Sequence, residues 1–230
     1  MKKWVFVIIL TIITGCATSE TIDVGESPKL IREIEEESLI KWESELPMII
    51  DNYLPVENYG IRTGAVTHIV VHYMSNVFDK PESPYEIEDI KELFTKYGVS
   101  SHYIIDRNGD VFRFVPEKRV AFHAGVGTVL GFPQYENNLN QFSIGIELLA
   151  IGTREEMVSI IPEEVYDTID HSHIGYTPAQ YESLQLLIED IVTRHPTVQM
   201  NRTHIIGHDE YAPGRKNDPG ILFDWNQLGF

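Results

Sequence analysis

Apolar positions along the chain recur with two different periods, and the switching between them lays out alternating strands and helices. Val66–Tyr73 is a run of β-branched residues that predicts a strand, and period two puts His68, Val70 and His72 on one face of it. The spacing of Ile87, Ile90, Leu93 and Phe94 predicts a helix over about 85–97, ended by Gly98. Two short apolar runs, 101–106 and 111–115, flank Arg107-Asn-Gly-Asp110 and predict a hairpin with a tight primed turn. Phe142–Leu149 reads as another strand, with Glu147 set inside its apolar run. Thr177-Pro178 opens a long helix whose inner face carries Tyr181, Leu184, Leu187, Ile188 and Ile191, ending near His195-Pro196. Ile205 and Ile206 predict the end of a last, buried strand.

Between these elements the pattern weakens. Pro47 and Pro55 limit regular structure over 47–56, and residues 152–176 read as an insertion with a short helix at about 162–170 and a polar turn at His171-Ser-His173. At the start, Ser27-Pro28 begins a glutamate-rich helix with a rough apolar stripe of Leu30, Ile31, Ile34, Leu39 and Trp42. The polar stretch 17–27 before it reads as a tether. Before that, Lys2 and Lys3 precede the apolar run Trp4–Ile13, which is too short to cross a membrane and has the layout of a secretory signal. Its end, Ile13-Thr-Gly-Cys16, resembles the bacterial lipobox, in which the thiol is diacylated and becomes the new N-terminus.

Composition adds a constraint on partners. The 230 residues suit one domain plus extras, and carry a formal charge of −17. Loss of Lys2 and Lys3 with the signal takes that charge from −17 to −19. Such a chain repels nucleic acid and anionic headgroups, so attachment to a membrane is expected through lipid on Cys16. Cys16 is the single cysteine, so the mature protein is expected to have no disulfide and no thiolate ligand.

The candidate chemistry gathers in 204–220. There a strand end delivers His208 and a loop stiffened by Pro213, Gly214, Pro219 and Gly220 carries Arg215, Lys216 and Asp218. Histidine and aspartate are ordinary zinc ligands, and a catalytic zinc needs three protein ligands, so another part of the chain must supply one. Taken singly, each residue has a plainer reading: His72 as a core histidine, Glu147 as an ion-pair partner, Lys216 as a surface lysine, Asp218-Pro-Gly as a turn.

Five pieces in order change that reading: Ile69-Val-Val-His72, Ser101-His-Tyr-Ile-Ile-Asp-Arg-Asn-Gly109, His123-Ala-Gly125, Ser143-Ile-Gly-Ile-Glu147 and Gly207–Gly220. With them the chain resembles the zinc-dependent N-acetylmuramoyl-L-alanine amidases of the second type, which share a fold with peptidoglycan recognition proteins. The resemblance implies an α/β domain over 54–230, a central mixed β-sheet flanked by helices; ahead of it, the N-terminal pattern sets an expected signal peptide at 1–15 and a lipid-anchored tether and helix at 16–53. It implies one zinc ion (Zn2+) held by His72, His208 and Asp218, with Glu147 and Lys216 as the catalytic pair. Some relatives use a cysteine as third ligand, where Asp218 stands here. Others have a catalytic tyrosine in the hairpin strand, where Ser101 stands here. His123 and His102 are expected either to line the substrate groove or to tie down a loop; His68, His171, His173, His195 and His204 are expected to have no catalytic role.

The function this implies is hydrolysis of the bond between muramic acid and L-alanine in peptidoglycan or muropeptides, by a monomer exported to the cell envelope and anchored there by lipid. The competing expectation is a module that binds muropeptide without cutting it. A third, a cytoplasmic enzyme that recycles anhydro-muropeptides, conflicts with the export signal.

Overall fold

The computed structural model describes residues 48–230. The expected signal segment, Cys16, the tether and the helix after Pro28 lie outside the described residues. In chain order the strands are β1 (Ile49–Asp51), β2 (Tyr59–Ile61), β3 (His68–Met74), β4 (Tyr103–Ile105), β5 (Val111–Arg113), β6 (Arg119–Ala121), β7 (Ser143–Leu149) and β8 (Ile205–Gly207). The α-helices are α1 (Ile87–Tyr97), α2 (Arg154–Met157), α3 (Glu163–Tyr166), α4 (Pro178–Arg194) and α5 (His208–Tyr211).

Six strands form one mixed sheet in the order β1-β5-β4-β7-β3-β8. Only β4 and β5 pair antiparallel; the other four pairings are parallel. β2 and β6 make a separate two-stranded ribbon. The expected mixed sheet with helices is therefore present.

The alternation of β7 explains which face does what. Ile144, Ile146 and Leu148 point into a core shared with Ile69 and Val71 of β3 and with Leu184, Leu187, Ile188 and Ile191 of α4. That assigns Ser143, Gly145 and Glu147 to the opposite face, alongside His68, Val70 and His72 of β3. On this second face, α1 packs Ile90 and Phe94 against Ile104, Phe114 and Leu149. One face is closed by the long helix α4; the other is covered in part by α1, and loops border the rest.

Two expectations need correction, and one element had no expectation. Residues 48–56 hold more regular structure than expected: β1 pairs with β5 at the edge of the sheet, ahead of Pro55, so the sheet begins before residue 54. The ribbon of β2 and β6 was not legible, because three-residue strands are too short for a period to show. The hairpin forms, but not through a primed turn. Gly109 takes a positive φ and Asn108 does not, and the Asp106 carboxylate accepts the backbone N–H groups of Asn108 and Asp110, both at 2.9 Å. That side chain holds the loop as a wider turn than Asn-Gly alone dictates.

Candidate active site and metal centre

His72 and Glu147 occupy directly paired positions on neighbouring parallel strands, His72 on β3 and Glu147 on β7. Paired strands lie about 4.8 Å apart, so the two side chains rise side by side from the same face. His208 begins α5 immediately after β8, which pairs with the other edge of β3. The loop after α5 then returns Asp218 to the same point. The backbone N–H of Asp209 donates to the Asp218 carbonyl at 2.8 Å, and the Tyr176 hydroxyl donates to the Pro219 carbonyl at 2.5 Å. Arg215 donates to the carbonyls of Ala124 at 2.8 Å and Val126 at 2.6 Å, tying the loop to the strap that carries His123.

Three acceptor atoms converge here. His72 Nδ1 lies 2.8 Å and His208 Nδ1 2.9 Å from Asp218 Oδ2, and the two nitrogens are 3.0 Å apart. The other ring nitrogen of His208 donates to the Ala124 carbonyl at 2.8 Å, which leaves its Nδ1 without a proton. Burial and the neighbouring His208 push His72 down to about 4, so His72 is neutral at pH 7. Lone pairs and a carboxylate facing one another at these distances repel unless a cation lies among them. The donor set, two imidazoles and a carboxylate with each histidine's second nitrogen engaged, is that of a catalytic zinc.

The trio opens into a cavity of about 360 Å³, which Glu147, Lys216 and His123 also line. Glu147 is buried at 7% exposure, and its carboxylate has no hydrogen-bond partner among the described residues. Burial first, then the nearby Asp218, push its pKa well up, while Lys216 pulls it back. Lys216 sits on the exposed part of the loop with its ammonium unpaired among the described residues.

Not every expected residue faces the cavity. His102 is fully buried and does not line it. Its Nδ1 accepts from the Gly145 N–H at 3.0 Å and its Nε2–H donates to the Arg119 carbonyl at 3.2 Å. It is a strut between β7 and β6, and burial with the Arg62 charge beside it pushes it down to about 3. His123 does line the cavity, but both ring nitrogens are engaged inside the protein, with His72 at 3.0 Å and Ser143 at 3.1 Å, so the second of its two expected roles is the one its contacts fit. His68, His195 and His204 lie elsewhere: His68 stacks on His204, and His195 bonds to Glu117 at 2.8 Å. Ser101 is buried and does not line the cavity.

The sequence did not single out two further contributors. Ser159 and Ile160, from the segment read as an insertion, form part of the cavity wall. Ser143 lies beneath His123, and a period-two reading of Ser143-Ile-Gly-Ile-Glu147 would have placed it on the face of Glu147.

A mixed sheet that carries this trio beside a buried carboxylate is the layout of a candidate metal-dependent hydrolase site. The profile of the N-acetylmuramoyl-L-alanine amidase family (Amidase_2) matches residues 62–221, and the chain belongs to that family. It is 38% identical to the 1,6-anhydro-N-acetylmuramyl-L-alanine amidase AmpD of Citrobacter freundii over 127 residues, 55% of this chain and 54% of that protein. It is 31% identical to the N-acetylmuramoyl-L-alanine amidase AmiD of Escherichia coli (strain K12) over 169 residues, 70% of this chain and 51% of that one. The chain thus spans about half the length of the curated relatives it matches. Among solved structures, the complex of E. coli AmiD with anhydro-N-acetylmuramic acid-L-Ala-D-gamma-Glu-L-Lys superposes with a TM-score of 0.52 at 28% identity, covering 73% of this chain and 58% of that one.

Proposed function

We propose that this chain is a zinc-dependent amidase that cuts the bond between the lactyl group of N-acetylmuramic acid and L-alanine, in peptidoglycan or in muropeptides released from it. The observation that carries the reading is Glu147, a buried carboxylate with no protein partner among the described residues, opening into the cavity beside the His72–His208–Asp218 trio. An idle carboxylate in a strand is expensive, and this one has its free valence where a nucleophile would stand. The substrate class follows that of the AmiD complex, whose bound ligand is a muropeptide carrying this bond.

When bound, zinc lowers the pKa of a water to about 7 and polarises the scissile carbonyl. Glu147 would take the proton of the attacking water and deliver it to the departing nitrogen of L-alanine. Its raised pKa makes it a stronger base than an ordinary glutamate. Lys216, on the opposite loop, presents its ammonium to the oxyanion that develops on the carbonyl, a contribution that typically carries about 100- to 1000-fold in rate. Lipid on Cys16 holds the domain at an extracytoplasmic membrane surface of the cell envelope, so the tether brings the cavity to its substrate.

The test incubates the full-length protein in detergent with peptidoglycan, with and without a zinc chelator, and counts new L-alanine amino termini. Release that stops on chelation and returns with zinc supports the reading. In Glu147→Gln, release should fall by about 100- to 10,000-fold while zinc and muropeptide still bind. A wild type that binds zinc and muropeptide but never releases L-alanine peptides would make the protein a receptor instead.

A further inference from the structure

We propose that Ser143 and His123 form a one-way hydrogen-bond relay that sets the tautomer of His72 and presents its Nδ1 bare to the metal. The proposal rests on the metal site described above. The relay is read from its far end. The Leu139 carbonyl can only accept, so the Ser143 hydroxyl, 2.8 Å away, donates to it. With its proton spent there, the Ser143 oxygen accepts from His123 Nε2–H at 3.1 Å. A neutral imidazole carries one N–H, so His123 Nδ1 is bare and accepts from His72 Nε2–H at 3.0 Å. His72 Nδ1 is then the lone-pair nitrogen, the atom that faces Asp218 and His208. The reversed direction leaves the Leu139 carbonyl facing an oxygen lone pair and puts the His72 proton on Nδ1, in the space a metal would take.

His72 needs such a device more than His208 does. His208 is fixed by a single backbone carbonyl, that of Ala124. For His72, Asp218 Oδ2 lies 2.8 Å from Nδ1 and attracts a proton to that nitrogen, and the relay pulls the proton the other way. The surroundings hold the relay in place. Ser143 is fully buried, and Asn140 Oδ1 accepts the backbone N–H groups of His123 at 3.2 Å and Ala124 at 2.8 Å. The His123 ring lies over Gly145, where a Cβ would come within 2.6 Å of its Cγ. His123 is thus a positioning residue that acts through His72.

The decisive measurement is nitrogen NMR of the imidazoles, with and without zinc, read together with zinc affinity by chelator competition. In the wild type the proton should sit on His72 Nε2, with through-hydrogen-bond coupling to His123 Nδ1. Ser143→Ala, which removes one oxygen atom, and His123→Ala should let the proton fall to Nδ1 and weaken zinc binding by about 10- to 100-fold, the usual effect of losing a partner of a ligating histidine. His123→Asn, whose Oδ1 can stand where Nδ1 was, should recover most of the affinity. Gly145→Ala, which displaces the ring without touching its chemistry, should reproduce the loss. A wild-type proton on His72 Nδ1 overturns the relay, and so does unchanged affinity in both alanine variants. A wild type that binds no zinc overturns the metal reading by itself, and the position of the His72 proton in the metal-free protein still decides the relay.

Discussion

At the scale of single residues, buried imidazoles do two separate jobs in this protein. His72 and His208 each turn a ring nitrogen to Asp218, whereas His68 is buried with no chemistry in reach. His68 stacks on His204, meets Phe132 and Tyr135 edge-on, and leaves its Nε2 without a partner. Burial, then the neighbouring His204, push it down to about 4. A histidine lowered on folding contributes stability above its unfolded pKa of about 6.5 and loses it as the pH falls toward 4. The loss should be on the order of 3 kcal/mol at most between pH 7.5 and 4. Urea midpoints of the wild type should fall over that window, and those of His68→Phe should fall less; parallel curves would refute it. In the trio, Asp218→Ala should cost the metal at moderate chelator concentration while leaving the circular dichroism spectrum unchanged. Full zinc occupancy in that variant would remove Asp218 from the ligand set.

At the scale of elements, the segment 152–176 behaves as a wall for the cavity rather than as a surface decoration. Its inner side packs Met157, Ile161 and Ile169 against Val77 and Ile151. Arg107, at the tip of the hairpin, ties it down by donating to the Ser172 carbonyl at 2.9 Å. Glu156 closes the capping box of α2 with Thr153 and also accepts the Ile221 N–H at 2.8 Å, which fastens the wall to the loop that carries Asp218. Ile160, on this anchored wall, is 52% exposed and lines the cavity, where it can meet a ligand. Ile160→Ala should raise KM for muropeptide by about tenfold at most, the apolar area of a small side chain, and leave kcat nearly unchanged. A fall in kcat with KM unchanged would place Ile160 in the chemistry instead.

At the scale of the whole molecule, a chain with formal charge −17 gains no electrostatic attraction to anionic membranes or wall polymers, so the proposed place at the envelope needs another attachment. Covalent lipid on Cys16 would supply the attachment that charge withholds. Cys16→Ser should move the expressed protein from the detergent phase to the aqueous phase, and its wild-type counterpart should begin at an acylated Cys16 by mass. An aqueous wild type that begins elsewhere would refute the anchor. Purified amidase activity on soluble muropeptide should be the same in both, because residue 16 lies well before the domain that carries the cavity.

The sequence by itself determined the large elements and the identity of the chemical groups. Strongly periodic runs such as His68–Met74 and Pro178–Arg194 form where the pattern put them, because burial of one face depends on spacing alone. Gly98 ends α1 with a φ of 63°, as its place after the last apolar residue required. His72, His208 and Asp218 were legible through an ordered set of motifs, although they lie on β3, at the start of α5 and in a loop. What only the tertiary structure decided is pairing between distant segments. The β3–β7 register sets His72 against Glu147, and β1 finds its partner in β5. Closure of the strap over Gly145 turns His123 from a groove residue into a link to His72. Those choices depend on which surfaces meet, and a three-residue strand or a lone histidine carries no local signal of its partner.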